Sequence, residues 1–211
     1  MKDLSDQRKN YEWGQLMEGD LKSHPMDQFD HWFEEYRPVC SGEVNAMMLS
    51  TMGAMGATAR VVLLKMYDPS GFVFFSNYES RKGGELLKDD RAGLLFFWQE
   101  LQRQVRVQGR VQRLSEEEST AYFSSRPRTS QLGAWASHQS QVIKDREELE
   151  SGFEKLKMEF EGKDIKKPNN WGGYRLQPER MEFWQGRSSR LHDRLEYYRA
   201  ENTWKVRRLA P

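Results

Sequence analysis

The chain has 211 residues, and its 33 lysines and arginines nearly balance its 32 aspartates and glutamates. This length is sufficient for one large domain with a buried core. The balanced charge gives no overall attraction to nucleic acid or to an anionic membrane, so affinity for phosphate must come from local basic clusters. A single cysteine, Cys40, and the lack of a signal peptide or a long apolar run favour a cytoplasmic protein.

The N-terminal region combines a polar segment with a strongly patterned one. Residues 1–22 show little periodicity, which is typical of a mobile arm, so residues 23–211 are expected to form the domain. From Pro25 onward, aromatic residues recur at helical spacing until Pro38, which predicts an amphipathic helix with one face in the core. That stripe consists of Phe29, Trp32, Phe33 and Tyr36.

A block of strands follows. The apolar runs 61–65 and 72–77 flank turn residues at 68–71, which predicts a hairpin between the two runs. Residues 93–98 are largely apolar, whereas 104–111 alternate valine with charged or polar residues. Alternation at period two predicts a sheet with one buried face.

Two helix starts carry capping signals. Ser115 and Glu118 match a capping box, and this helix should extend to about Ser125, because a proline lies two residues further on. A second helix should begin near Asp145. Its apolar stripe consists of Leu149, Phe153, Leu156 and Phe160.

The C-terminal part returns to strands. Segments 172–177 and 180–186 alternate as strands do, and 195–199 and 204–209 form a predicted hairpin. About five or six antiparallel strands with a few helices between them favour a closed or nearly closed barrel. We therefore expect a mainly β fold with helices (α+β) in a single domain.

The first polar cluster surrounds one apolar strand and the segment after the next. Arg60 and Lys65 bracket the first strand, and their odd separation puts them on opposite faces, so they can serve two different anions. Residues 80–84, Ser-Arg-Lys-Gly-Gly, offer a hydroxyl and two cations to one phosphate at a helix start. Taken alone, such a segment is more often a solvated basic loop.

The second cluster contains Tyr122, Arg126 and Ser130. Tyr122 and Arg126 are four residues apart and share a helix face, and Ser130 can fold back beside them. A phenol, a guanidinium and a hydroxyl together suit a phosphate monoester. The alternative is a helix C-terminus neutralised by Arg126 and Arg128, and spacing alone does not decide between the two.

The third cluster, 184–194, contains three arginines, a histidine and an aspartate. In an extended segment Arg190, His192 and Arg194 face the same side. His192 is a candidate general base, metal ligand or structural histidine. No metal is expected, because the four histidines and the cysteine show no ligand spacing. A Ser-His-Asp elbow, a Walker loop and a dinucleotide glycine fingerprint are also missing from the sequence.

Several motifs in one order resemble the pyridoxine/pyridoxamine 5′-phosphate oxidase family over about residues 8–211. They are RVVLLK (60–65), YFSSRPRTSQLGAW (122–135), EFWQG (182–186), RLHDR (190–194) and RRLAP (207–211). The resemblance implies an FMN-binding split β-barrel with an antiparallel, Greek-key-like sheet. It also implies a homodimer with FMN at the interface. Segment 50–60 departs from the more polar turn common in the family.

The resemblance also implies residue roles. The cofactor positions are Arg60, Val61, Lys65, Phe75, Ser76, Arg81, Lys82, Gln104, Gln139, Ser140, Trp184 and Arg194, with Gln139 and Ser140 closing the site from the other subunit. The substrate positions are Lys65, Tyr122, Arg126 and Ser130 for the phosphate, Arg190 and His192 over the pyridine ring, and Arg8 and Tyr11 as a lid.

The implied reaction oxidises the 4′ carbon of pyridoxine or pyridoxamine 5′-phosphate and forms pyridoxal 5′-phosphate. Hydride passes to FMN, and O2 reoxidises the flavin to give hydrogen peroxide. Arg190 and His192 are the catalytic candidates, with His192 as proton acceptor. The alternatives are another FMN-dependent split-barrel oxidoreductase, a non-catalytic flavin- or pyridoxal-phosphate-binding protein and, third, a nucleic-acid binder, against which the neutral net charge counts.

Overall fold

The computed structural model describes residues 2–6, 10–201 and 203–211. Across these ranges the strands are β1 (Ala46–Gly53), β2 (Gly56–Leu63), β3 (Met66–Asp68), β4 (Gly71–Asn77), β5 (Arg91–Trp98), β6 (Arg103–Arg113), β7 (Trp171–Gln185), β8 (Asp193–Ala200) and β9 (Thr203–Arg208). The helices are α1 (Pro25–Tyr36), α2 (Arg81–Lys88), α3 (Glu116–Ser125), α4 (Arg128–Ala136) and α5 (Arg146–Glu159). None of the described helices has the length and apolar character needed to cross a membrane.

Both predicted helix starts are confirmed, and each has a local capping contact. At α3, the Ser115 hydroxyl accepts from the Glu118 amide at 3.1 Å, and the Glu118 carboxylate accepts from the Ser115 amide at 3.0 Å. At α5, the Asp145 carboxylate accepts from the Glu148 amide at 2.9 Å. Such caps satisfy amides that have no partner in the first turn.

All strand pairs are antiparallel, in the order β2-β1-β5-β6-β7-β4-β3, with β8 on β7 and β9 on β8. Strand β7 is long enough to serve two neighbours: its first half pairs with β4 and its second half with β8. A bulge opposite Gly109 lies between the halves, where a Cβ on Gly109 would lie 1.9 Å from the Gln177 carbonyl oxygen. Contacts between β2 and β4 close the barrel.

The predicted hairpin between 61–65 and 72–77 is wrong in its pairing. Segment 61–63 belongs to β2 and pairs with β1, while the turn before Gly71 joins the short β3 to β4. Strand β1 and helix α4 were not predicted. The β1 sequence, AMMLSTMG, is rich in methionine and small residues and lacks the β-branched and aromatic residues that mark a strand.

The main core forms where α1 packs into the barrel. Phe29 is fully buried, and its ring meets that of Phe72 edge-on, with ring centroids 4.8 Å apart. Trp32 meets Phe183 in the same manner at 5.2 Å. The aromatic stripe predicted for this helix therefore packs in the core, as expected. A second, smaller core consists of Phe123, Leu132, Ile165 and Trp171.

The polar N-terminal segment has contacts with the barrel in its described part. Leu16 is 2% exposed and joins the main core, and its amide donates to the Asp193 carboxylate at 3.1 Å. Further along, the Tyr197 hydroxyl donates to the Lys22 carbonyl at 2.6 Å. These contacts place the chain from Leu16 to Lys22 against the barrel.

Candidate functional site

A cluster of polar side chains forms where β4 ends and α2 begins; we call it the Lys82 cluster (Ser76, Ser80, Lys82 and Gln139). The Lys82 ammonium donates to Gln139 Oε1 at 2.6 Å and to Ser76 Oγ at 3.0 Å. Burial, together with the positive charge of Arg60, lowers the pKa of Lys82 to about 8. An anion bound here would relieve that cost, because it would stabilise the charged ammonium.

The start of α2 brings Lys82 to this position. Ser80 caps the helix, accepting from the Gly83 amide at 3.3 Å. Gly83 must be a glycine, since a Cβ there would lie 2.1 Å from the Tyr78 carbonyl oxygen. The close approach directs the helix N-terminus, with its partial positive charge, toward the end of β4.

Arg60, on β2, lies beside the Lys82 cluster but is already paired. Its guanidinium donates to Thr58 Oγ1 at 2.7 Å and to Glu85 Oε2 at 3.0 Å, and it also contacts Thr51. Burial would raise the pKa of Glu85, but hydrogen bonds from Thr51, Thr58 and Arg60 outweigh it and hold that pKa below its usual value. Glu85, which was not singled out in the sequence, therefore compensates the charge of Arg60.

A second cluster forms around Phe75, the residue before Ser76 on β4. We call it the Arg126 cluster (Phe75, Tyr122, Arg126 and Trp171). The rings of Phe75 and Tyr122 stack with centroids 3.8 Å apart, and the Arg126 guanidinium lies 4.6 Å from the Trp171 ring centre. Burial lowers the pKa of Arg126 and raises that of Tyr122.

The Arg126 cluster distinguishes between the two interpretations of this arginine. Nη1 of Arg126 is buried and has no hydrogen-bond partner within the described part of the chain. Arg128 instead contacts helix-end carbonyls, donating to Lys163 O at 2.9 Å and also reaching Phe160 O. A buried, unpaired guanidinium nitrogen calls for an acceptor, which favours an anion site over helix-end neutralisation.

Strand β4 connects the two clusters, because Ser76 and Phe75 are consecutive residues. Successive strand side chains point to opposite faces, so Ser76 reaches Lys82 while Phe75 reaches Tyr122. Two separate clusters, each with a partly buried cation, thus meet at one strand end.

The other residues predicted at these clusters are less engaged. Ser130 is half-buried in the first turn of α4, whereas Lys65, Arg81 and Val61 are exposed. Gln139 Oε1 accepts from the Lys82 ammonium of the same chain at 2.6 Å. Ser140 has a left-handed backbone, with φ at 74°. Arg8 lies outside the described residues.

The third cluster includes a row of side chains across three strands; we call it the Trp184 row (Gln104, Trp184 and Arg194). Gln104 on β6 is the register partner of Trp184 on β7, which is in turn the partner of Arg194 on β8. Direct partners in a sheet place their side chains on the same face. Strand register therefore brings together three residues that lie up to ninety positions apart in the sequence.

Arg194 is held by a carboxylate within the row's own sheet. Its Nε lies 2.9 Å from Glu182 Oε1, and its Nη2 lies 3.1 Å from Glu182 Oε2. Its third nitrogen, Nη1, donates to the Ala210 carbonyl at 2.7 Å, which ties the C-terminal RLAP segment to this row. The bidentate pair fixes the plane of the guanidinium.

Tyr11 and His192 pack against Trp184 of this row in edge-on and tilted ring contacts. The Trp184 and His192 ring centroids are 4.6 Å apart, and Tyr11 lies 5.8 Å from Trp184 and 5.9 Å from His192. Tyr11 also lies against Gly186, where a Cβ would come within 2.8 Å of its ring. The N-terminal segment thus covers His192 with an aromatic ring.

The loop that carries His192 and Arg190 has an unusual backbone. Ser189 and Arg190 both have left-handed φ, at 55° and 62°. The Arg190 side chain is exposed, whereas His192 is half-buried. His192 Nδ1 accepts a hydrogen bond from the Arg187 amide at 3.1 Å, and burial and the charge of Arg190 lower the pKa of His192. Both effects favour the neutral imidazole.

Comparison with known proteins identifies the family of this chain. The family model for pyridoxamine 5′-phosphate oxidase matches residues 33–159, and that for the pyridoxine 5′-phosphate oxidase C-terminal dimerisation region matches 171–211. The chain belongs to the pyridoxamine 5′-phosphate oxidase family. The motifs at 60–65, 122–135 and 182–194 lie within the matched residues, and the resemblance drawn from them is confirmed.

Relatives that match over the full length of the chain belong to the same family. The pyridoxine/pyridoxamine 5′-phosphate oxidase of Paraburkholderia phytofirmans is 50% identical, with 100% of both chains covered. The corresponding oxidase of Rubrobacter xylanophilus is 51% identical, over 100% of this chain and 97% of the relative.

Two solved structures share the fold. PhzG from Burkholderia lata 383, in complex with tetrahydrophenazine-1-carboxylic acid, has a TM-score of 0.87 and 33% identity, over 93% of this chain and 98% of PhzG. An FMN-binding protein from Nostoc punctiforme PCC 73102, related to pyridoxamine 5′-phosphate oxidase, has a TM-score of 0.70 at 14% identity, over 90% of this chain and 100% of that one. The expected split-barrel fold, mainly β with helices, is thereby confirmed.

Proposed function

We propose that this chain oxidises pyridoxine 5′-phosphate and pyridoxamine 5′-phosphate to pyridoxal 5′-phosphate, with FMN as cofactor and O2 as electron acceptor. One observation carries the proposal: the Lys82 and Arg126 clusters, each with a partly buried cation, are joined by consecutive residues of β4. A reaction between a phosphorylated cofactor and a phosphorylated substrate requires two such clusters close together. The family membership and the relatives near 50% identity support the same activity.

The Lys82 cluster fits the phosphate of FMN. Lys82 has a lowered pKa that a dianion would raise again, and the N-terminus of α2 adds its partial positive charge. Arg81, at the first position of that helix, is exposed and free to turn toward the same phosphate, and Arg60 completes the group. FMN, when bound, supplies the hydride-accepting chemistry.

The flavin ring would be held by residues distributed along the chain. These are Val61, Lys65, Phe75, Ser76, Gln139 and Ser140 around the first cluster, and Gln104, Trp184 and Arg194 in the Trp184 row. The row presents an amide, an indole and a guanidinium fixed by Glu182, a set of donors suited to a ring carrying carbonyl oxygens and nitrogens.

The Arg126 cluster would bind the substrate phosphate. The buried Arg126 Nη1 has no acceptor among the residues that the structure describes, and the Tyr122 hydroxyl, the Ser130 hydroxyl and the Lys65 ammonium would complete a four-residue set. Because Arg126 is fixed over Trp171, its orientation costs little on binding. This anchoring would position the substrate's 4′ carbon for reaction.

Arg190 and His192 would lie over the substrate's pyridine ring, with the N-terminal arm (residues 1–22) as a lid. The described part of the arm supports this role, since Tyr11 already packs on Trp184 and His192. Arg8 would act with Tyr11. Closure over the site would exclude water from the reacting atoms.

The protein would work as a homodimer with FMN at the subunit interface. Residues 171–211 match a dimerisation region, and the outer faces of β1, β5 and β6 form a groove of about 1010 Å³ that includes Gln104. Large apolar side chains stay exposed on this side of the barrel in the single chain, among them Met48 at 40% and Phe97 at 55%. A partner covering this face would bring the Trp184 row to the opposite subunit's clusters.

A second candidate is the oxidation of a tricyclic carboxylic acid, since PhzG shares 33% of its residues with this chain. The test is a substrate panel with peroxide detection, in which pyridoxine 5′-phosphate, pyridoxamine 5′-phosphate, unphosphorylated pyridoxine and a reduced phenazine carboxylate are compared. We expect turnover with both phosphorylated compounds and little with pyridoxine. Turnover with the phenazine alone would favour the second candidate, and a yellow protein inert to all four would favour a non-catalytic binding protein.

A further inference from the structure

The hydrogen bond between Arg187 and His192 has a chemical consequence for the proposed reaction. We propose that Arg187 is a positioning residue whose backbone N–H holds His192 in the neutral tautomer with its proton on Nε2, so that His192 donates a hydrogen bond to the substrate and does not take up its proton. This inference rests on the proposed function for its substrate, but the tautomer itself does not. Arg187 received no role from the sequence.

The tautomer follows from the contact at Nδ1. A neutral imidazole has one nitrogen that donates and one that accepts. Nδ1 accepts from the Arg187 amide at 3.1 Å, so the ring hydrogen must be on Nε2. Accepting a further proton would place a hydrogen on Nδ1 against the Arg187 N–H, and both donors would then face each other. Burial and the Arg190 charge also lower the pKa of His192, which opposes that protonation.

The amide that fixes His192 is itself fixed. Arg187 Nη1 lies 2.8 Å from Asp193 Oδ2, and Asp193 is the residue next to His192. The Asp193 carboxylate also accepts from the Leu16 amide at 3.1 Å and from Arg208 Nη1 at 2.8 Å. The ion pair between Arg187 and Asp193 thus closes the loop. Asp193 also ties this loop to the N-terminal arm and to β9.

The imidazole ring is also restrained by two neighbouring aromatic rings. Trp184 lies 4.6 Å away between ring centroids and Tyr11 lies 5.9 Å away. A half-turn of the ring would break the Nδ1 contact and point a carbon at the Arg187 amide. The ring therefore presents Nε2–H, a donor suited to an oxygen on the substrate's pyridine ring.

This inference replaces the expectation that His192 is the proton acceptor. A donor at Nε2 would stabilise negative charge on a ring oxygen, and the histidine would keep its hydrogen throughout. The acceptor for the substrate's proton would then be a group other than His192.

The direct test is nitrogen NMR of the flavin-loaded protein with ¹⁵N-labelled histidine, with the His192 signals identified by their loss in His192→Gln. We expect a protonated-type signal at Nε2 and an unprotonated-type signal at Nδ1 near neutral pH. A hydrogen on Nδ1, or a doubly protonated ring, would overturn the proposal. This readout needs no substrate, so it stands even when the proposed oxidase activity fails its own test.

Two isosteric variants test the role in turnover. The glutamine amide nitrogen of His192→Gln can occupy the Nε2 position, whereas that of His192→Asn occupies the Nδ1 position. We expect His192→Gln to retain at least about tenfold more kcat than His192→Asn, which corresponds to about 1.4 kcal/mol. Equal or reversed activities would contradict a donor at Nε2.

The positioning role of Arg187 has a matched pair of its own. Arg187→Ala removes the bond to Asp193 but keeps the amide, and Arg187→Lys keeps a cation for Asp193. We expect Arg187→Ala to lower kcat more than it raises KM and to mix the two His192 tautomers in the NMR spectrum, and Arg187→Lys to restore both. An unchanged tautomer in Arg187→Ala, or no rescue by lysine, would remove Arg187 from this role.

Discussion

Arg60 and Glu85 form an ion pair with 3.0 Å between Nη2 and Oε2, and their side chains are only 21% and 10% exposed. The pair lies beside the Lys82 cluster, so the carboxylate offsets one of the two cations there. The net positive charge available to a bound phosphate consequently comes mainly from Lys82 and the exposed Arg81. A buried pair of this kind is costly to break from one side, because the remaining charge is left without a partner.

Truncating Glu85 should therefore destabilise the protein. We expect Glu85→Ala to lower the free energy of unfolding by about 3 kcal/mol and Glu85→Gln, which keeps an acceptor oxygen, by about 1 kcal/mol, as measured by urea denaturation. Glu161→Gln is the control, since its side chain is exposed, and it should change stability by less than about 0.5 kcal/mol. Equal losses for Glu85→Ala and Glu161→Gln would show that the pair contributes nothing.

Lys82 should lower the stability of the flavin-free protein and strengthen its binding of an anion. Its folded-state pKa of about 8 is below the ordinary lysine value of about 10.4, so the fold disfavours the charged form. Between these two values the unfolded chain binds more protons, and the stability of the flavin-free protein should rise as pH increases from about 8 to about 10. FMN affinity should fall over the same range, because the ammonium loses its proton.

The variant Lys82→Met separates the effect of Lys82 on stability from its effect on FMN binding. We expect it to stabilise the flavin-free protein by about 1 kcal/mol and to remove the rise in stability above pH 8, while FMN retention drops sharply. Thermal unfolding of flavin-free and flavin-loaded protein measures both. A variant that loses stability and keeps its flavin would contradict the proposed role of Lys82.

Arg126→Ala should weaken the binding of phosphorylated substrates. Loss of a charged donor to phosphate costs about 2 kcal/mol, or roughly thirtyfold in kcat/KM, and most of it should appear in KM. Arg128→Ala is the matched control, because the guanidinium of Arg128 donates to the Phe160 and Lys163 carbonyls just after α5, and its loss should affect stability and not KM. An unchanged KM in Arg126→Ala would move the phosphate site elsewhere.

Asp193→Asn should loosen the arm and the His192 loop together. Burial would raise the pKa of Asp193, but bonds from Leu16, Arg208 and Arg187 outweigh it and leave that pKa below its ordinary value. Its contribution to stability is therefore present above about pH 4 and is lost as pH falls through the lower folded-state pKa. We expect the variant to be about 2 kcal/mol less stable at pH 7, with a difference that shrinks toward acidic pH in urea titrations. A constant difference would argue against this linkage.

Local signals in the sequence predicted local structure. The starts of α3 and α5 followed from Ser115–Glu118 and Asp145–Glu148, because a cap needs only residues three apart. The alternation of β6 likewise follows from its own side chains. Strand β1 lacked such a signal, and the pairing of β2 with β1 was missed for that reason.

The parts of the site that could not be predicted from the sequence depend on contacts between residues that are far apart in the chain. Lys82 meets Gln139 across 57 positions, and Arg60 is neutralised by Glu85 across 25 positions. The bond from the Arg187 amide to His192 is short in sequence but depends on a loop with two left-handed residues that are not glycine. Backbone conformations of this kind are rare and leave no pattern in side-chain type.

The most direct test of the whole account is the absorbance spectrum of the purified protein without oxygen. A yellow preparation should bleach at the flavin band when pyridoxine 5′-phosphate is added, remain yellow with unphosphorylated pyridoxine at the same concentration, and regain its colour when air is admitted. A protein that is colourless after loading with FMN, or whose flavin band is unchanged by the phosphorylated substrate, would contradict the proposed pairing of two anion-binding clusters.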